Sequence, residues 1–140
     1  MAYWLVKSEP DSWSWDEQVK AGAKGTAWTG VRNHSAKLNL MKMKKGDRAF
    51  FYHSNEGKEI VGIVEIAKEH YPDPTDESGK FVVVDVKAVE PVPHPVTLVA
   101  IKQEPKLKDM ALIKLSRLSV QPVTDAEWKI VAKMGGVKDA

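Results

Sequence analysis

Apolar positions along the chain follow two rhythms, and the changes between them mark the elements. Runs rich in aromatic and β-branched residues predict strands: YWLVK over 3–7, DRAFFYHS over 47–54, IVGIVEIAKEHY over 60–71 and FVVVDVKAVEPV over 81–92. SVQPV, 119–123, reads as a shorter extended piece. The other rhythm is helical. In SWDEQVKAG, Ser14 with Glu17 three positions on fits a capping box, and Gly22 is a stop. From about Asn33, Ala36, Leu40 and Met43 recur at spacings of four and three. Gly46 ends that helix, and Lys42, Lys44 and Lys45 suit the negative end of its dipole. TLVAIKQ and DMALIKL are predicted helical, and TDAEWKIVAKMGG a capped final helix ending at Gly135. GAKGTAWTG is a glycine-rich loop, while NEGKE (55–59) and PDPTDESG (72–79) are polar turns.

Strands with helices inserted among them predict an α+β fold: a mixed or mostly antiparallel sheet, closable into a small barrel. A doubly wound fold is excluded, because regular strand–helix alternation is missing and no GxGxxG or GxxxxGK[ST] occurs. No repeat or linker breaks the chain, so residues 1–140 are expected to form one domain.

Composition narrows the class more than the function. Hydrophobic content of 43% and charged content of 29% are those of a soluble globular protein. The absence of cysteine excludes disulfides, thiolate catalysis and cysteine-based zinc sites. The N-terminal apolar run meets Lys7 and Glu9 too soon for a secretory signal, and no run reaches membrane-spanning length. A cytoplasmic protein without a membrane partner is expected. A net charge of +2 permits nucleic-acid binding without announcing it.

Catalytic arrangements are sparse. His53 and Ser54 are adjacent, yet neighbours on a strand point to opposite faces, so they cannot serve as base and nucleophile to each other. His34, His53, His70 and His94 lie far apart without metal-ligand spacing, and neither a metal nor a cofactor is expected. Binding fits better. Trp28 stands in the glycine-rich connection directly before Arg32, Asn33 and His34. Pattern alone favours a core anchor for it, with Trp4, Trp13, Trp15 and Trp128 read as structural too. The rival reading makes Trp28 the wall of a pocket for a flat ligand, with polar groups at two strand ends: Ser8 and Glu9, and His53, Ser54 and Asn55. Stacking a base on such a platform is worth about 1–3 kcal/mol.

The motifs KSEP, W-x-GVRN, GD-x-x-FFYHSN, YPDPT and SVQPV follow one another in this order. In that combination the chain closely resembles the EVE domain family, almost end to end. The resemblance implies a PUA-like fold, related to the YTH readers of methylated adenine. It implies a non-catalytic pocket for a flipped or unpaired base, with DNA carrying a modified cytosine the favoured partner and RNA a second. Ser8, Glu9, Trp28, Gly30, Val31, Asn33, His53, Ser54 and Asn55 would line this pocket, with Ser119 and Gln121 approaching from the last extended segment. Arg32, His34, Ser35 and Lys37 would meet flanking phosphates. Where the family commonly continues with an aromatic residue and an Ala-Arg step, this chain has His34-Ser35-Ala36-Lys37, exchanging a forked guanidinium for a point charge. Any downstream effect would need an effector protein. Two other readings stand beside this one: a hydrolase or base-modifying enzyme using Glu9 or His53, and a sensor of a free nucleobase or nucleotide.

Overall fold

The computed structural model describes residues 1–55 and 57–137. In chain order the elements are β1 (Tyr3–Ser8), α1 (Trp15–Lys20), β2 (Thr26–Ala27), α2 (His34–Lys42), β3 (Arg48–His53), β4 (Glu59–Pro72), β5 (Val82–Thr97), α3 (Leu98–Gln103), α4 (Ala111–Lys114), β6 (Val120–Val123) and α5 (Asp125–Met134). Short 3-10 turns occupy Gly22–Lys24 and Pro105–Leu107. The strands form one mixed sheet in the order β2-β5-β4-β3-β1-β6. Strands β1 and β3 run parallel, which the long crossover through α1, β2 and α2 allows. The other neighbouring pairs are antiparallel.

All the predicted strands join this sheet, and both of its faces are covered. Alternation in β1 and β3 sends Trp4, Val6, Ala49 and Phe51 to one core, where α2 adds Ala36, Leu40 and Met43. Leu5, Phe50 and Tyr52 face the opposite core, closed by α3 and by Trp128, Val131 and Ala132 of α5. Burial on two faces explains why these strands read as continuous apolar runs rather than alternating ones. Asp47 ties the starts of β1 and β3 together by accepting from the Ala2 and Lys44 amides and the Trp4 indole N–H.

The capping box on α1 is present, and the Thr124 hydroxyl caps α5 with Glu127 in the same way. Four boundaries differ from the sequence reading. Helix α2 ends at Lys42 rather than running to Gly46, since the Lys44 amide turns to the Asp47 carboxylate. Strand β5 continues to Thr97 with Pro91, Pro93 and Pro95 outside and Val92 and Val96 inside. DMALIKL yields a single helical turn. The glycine-rich connection contains β2, which lies so close to β5 that a Cβ on Gly25 would sit 2.6 Å from the Val86 carbonyl oxygen. Of the turn expected at 55–59, residue 56 lies outside the described residues.

The β3–β4 register shifts at Phe51/Tyr52, and there Gly62 lets the Trp15 ring lie directly on the backbone of β4. A methyl group on Gly62 would overlap that ring. Gly62→Ala is expected to cost about 1–3 kcal/mol, the usual range for overpacking. Denaturant unfolding checks this, and a variant as stable as the parent would contradict the packing described.

Candidate functional site

Beyond the C-terminal end of β1 the chain turns sharply, because the Ser12 and Trp13 amides both donate to the Glu9 carbonyl. The Ser8 hydroxyl donates to the Trp13 carbonyl at 2.5 Å, and the Trp13 indole N–H donates to Gln18 Oε1 at 2.8 Å. Gln18 is fully buried and its amide donates in turn to the Val86 carbonyl. Trp13 is thus fastened to both β1 and β5. Trp28 arrives from the other side, placed by its amide's 2.8 Å bond to the Val84 carbonyl and by the edge-on contact of its ring with Phe51.

The two tryptophans line one open cavity of about 530 Å³, together with Lys7, Ser8, Glu9, Ser12, Thr26, Ala27 and Thr29. Trp28 is only 7% exposed and belongs to the core while also lining the cavity, so the two readings posed for it are compatible. Trp13, structural by its sequence pattern, packs against the core that holds Trp28 and Phe51 and also lines the cavity. Its signal was its place: it lies between the end of a strand and a helix cap, outside any apolar period.

A second cavity of about 680 Å³ shares Lys7 and Glu9 with the first and is lined further by Tyr52, Ser54, Asn55, Lys58, Arg117 and Ser119, among others. A third includes Asn33, Ser35, Lys114 and Arg117. The predicted set is therefore divided. Ser8, Glu9 and Trp28 meet at the first cavity, while Ser54, Asn55 and Ser119 belong to the second.

Several predicted contacts have structural duties instead. Gln121 is wholly buried, and its amide faces the carbonyls of Ala111, Leu115 and Leu118, closing the α4–β6 turn. The Asn33 side chain caps α2 by accepting from the Ala36 amide. Val31 is core. His53 accepts the Trp15 amide at Nε2, which requires that nitrogen unprotonated, and burial lowers its pKa despite the opposing charges of Glu59 and Asp16. A histidine engaged in this way is a poor general base. His34 is exposed on α2, and the Lys37 ammonium lies 5.9 Å from the centre of the Phe81 ring.

Arg32 is also committed. Its guanidinium meets the Asp73 carboxylate at 3.0 Å and donates to the Thr75 hydroxyl. Asp73, in the turn read from sequence simply as polar, is the hub of this region. Its carboxylate accepts from the Gly30 amide, from Arg32, and from both the amide and hydroxyl of Thr75. Burial alone would raise its pKa, but the bonds from Thr75, Arg32 and Gly30 outweigh this and hold it at about 2. The carboxylate therefore pins the loop following Trp28 to the β4–β5 hairpin.

A mixed sheet with helices on both faces, and a cavity at the end of its parallel pair, define a PUA-like α+β domain. The chain belongs to the EVE domain family, whose sequence pattern matches residues 2–134. It is 38% identical to thymocyte nuclear protein 1 of Mus musculus over 94% of this chain and 73% of the relative. A solution structure of a protein from Rhodopseudomonas palustris is 70% identical, with a TM-score of 0.94 over 100% of this chain and 97% of that one. The human THYN1 protein, crystallised in complex with 5-methylcytosine containing DNA, is 33% identical with a TM-score of 0.89, over 96% of this chain and 98% of that one. A YTH domain of Zygosaccharomyces rouxii, solved with N6-methyladenosine RNA, is 20% identical with a TM-score of 0.58 over 96% of this chain and 86% of that one, a likeness of fold alone.

The Asp73 hub has a pH signature. Its folded pKa of about 2 lies below the ordinary carboxylate value of 3.8, so the stability it contributes is present above about pH 4 and disappears as pH falls toward 2. That shift corresponds to about 2 kcal/mol. Asp73→Asn is expected to lose about that much at neutral pH and to show a flatter stability profile between pH 4 and 2. Thermal unfolding across that range checks it, and an unchanged acid limb would contradict the hub.

Proposed function

We propose that the protein is a non-catalytic reader of a nucleobase, with a modified cytosine in DNA its favoured target. One observation carries the reading: two tryptophans from separate segments line one open cavity together with Glu9 and the hydroxyl-bearing Ser8, Ser12, Thr26 and Thr29. Flat rings suit stacking, and a base withdrawn from its helix needs new partners for both its faces and its edge. In this reading Trp13 and Trp28 supply the faces. The Glu9 carboxylate accepts from the exocyclic amine of cytosine, the pairing that carboxylates make with that base. Ser8 holds Trp13 in position, since its hydroxyl is bound to the Trp13 carbonyl.

The human THYN1 complex with 5-methylcytosine containing DNA supports the choice of ligand, because that relative shares this fold at 33% identity. A methyl group at C5 adds apolar contact on the order of 0.8 kcal/mol when buried. The state of His53 favours binding over catalysis. A cytoplasmic location rests on the sequence alone; among the described residues no helix is long and apolar enough to cross a membrane.

The test is binding to a panel of single- and double-stranded DNA and RNA with and without modified bases. A modified cytosine in DNA is expected to bind most tightly. Preference for a modified adenine in RNA would redirect the reading, and turnover of any strand would replace it with an enzyme. Trp13→Ala is expected to stay folded and to lose affinity by about 5- to 150-fold, the equivalent of one stacking contact. Trp28→Ala should also lose about 3–5 kcal/mol of stability, being part of the core, so Trp28→Phe is the cleaner probe there. Wild-type affinity in folded Trp13→Ala would remove this tryptophan from the pocket.

A further inference from the structure

The second cavity differs in character from the first. Tyr52 is buried, so no open aromatic face is offered; among the described residues, Lys7, Lys58 and Arg117 supply three cations against the carboxylate of Glu9. Hydroxyls of Ser54, Ser116 and Ser119 stand among them, and Leu98 and Leu112 contribute apolar surface. The Lys7 ammonium is already in place beside this second cavity, donating to the Ser116 carbonyl at 2.6 Å and lying 5.9 Å from the centre of the Tyr52 ring. Arg117 is exposed and makes no ion pair among the described residues.

The backbone here holds strain. Asn55 (φ 71) and Lys58 (φ 45) are non-glycine residues in the left-handed region, and both line this cavity. Asparagine tolerates that conformation but lysine rarely adopts it, so the surrounding structure must enforce it. The Leu98 amide does so in part by donating to the Lys58 carbonyl at 2.9 Å. Strain of this kind collects where a side chain is aimed at a ligand.

We propose that this second cavity holds the sugar and phosphate of the nucleotide adjoining the recognised base, with Arg117, Lys58 and Lys7 around the phosphate. This rests on the base-pocket reading above. Cations with several hydroxyls match a phosphodiester rather than a second base, and the leucines offer a floor to the sugar. Because Lys7 and Glu9 line both cavities, a chain leaving the first meets the second directly across these two residues. The site then reads one base together with one neighbouring linkage.

The experiment uses the full chain and three short single DNA strands: one with a central 5-methylcytosine, the same strand with uncharged methylphosphonates flanking that base, and an all-thymine strand. Affinity is measured across a salt series for the parent, Arg117→Ala, Lys58→Ala, Arg117→Lys and Trp13→Ala. Arg117→Ala is expected to weaken the phosphodiester strand about tenfold and to reduce the salt slope by about 0.7. Arg117→Lys should restore much of that slope. On the methylphosphonate strand Arg117→Ala should cost nothing further. An unchanged slope in both Arg117→Ala and Lys58→Ala would overturn the proposal, as would an equal loss on the uncharged strand or a parent protein that binds none of the strands. If Trp13→Ala had no effect while Arg117→Ala still flattened the slope on the modified and all-thymine strands alike, the base-pocket reading would fail and the phosphate site would stand.

Discussion

The Asp73 carboxylate is withdrawn from water at the tip of the β4–β5 hairpin, where an unpartnered charge would be expensive. Four donors answer it, two of them on Thr75 beside it in sequence and two, Gly30 and Arg32, on the loop that follows Trp28. The charge thus converts a glycine-containing connection into a fixed part of the fold. Trp28 depends on this, because the short strand β2 that precedes it has only two residues of pairing to β5. Without a second fastening beyond the tryptophan, the ring's approach to Phe51 would rest on a weak edge strand.

Around that constraint the five tryptophans divide by duty. Trp128 lies stacked between Tyr3 and Phe50, Trp4 donates its indole N–H to Asp47, and Trp15 covers Gly62 and meets Phe51 edge-on. These three close the cores on the two faces of the sheet. Trp13 and Trp28 line the cavity, each oriented by hydrogen bonds that end on β5. Orientation matters more than exposure here. A ring held by its own N–H and backbone offers a stacking surface with little freedom left to lose on binding.

The cavities on either side of Lys7 and Glu9 give this arrangement its functional sense. One wall is aromatic and the other cationic, and the strand end that carries KSEP stands between them. A base and its backbone need those two environments side by side. The ion pair of Arg32 with Asp73 shows the contrast, since that arginine serves the loop's architecture while Arg117 remains available to a ligand.

Much of the fold is legible in the sequence because it depends on local rules. Apolar runs rich in aromatic and β-branched residues, capping boxes at Ser14 and Thr124, and ordered family motifs are properties of neighbouring residues. The predicted strands join the sheet, while β2 and the extents of α2, β5 and α4 depart from those rules. KSEP, Trp28 and the strand ending in FFYHSN could likewise be marked as the region of interest from residue type and place. How the marked residues share out the work was not legible. Asn33 and Gln121 have the chemistry of ligand contacts, yet one caps a helix and the other satisfies three backbone carbonyls. Trp13 packs on the core and lines a cavity as well, and Asp73, a turn residue by pattern, is the hub. A polar side chain takes whichever partner lies nearest in space, and here those partners come from 43 residues away for Gly30 and 68 for Gln18. Local pattern set the elements; only their packing decided which hydrogen-bonding groups were used up and which were left facing a cavity.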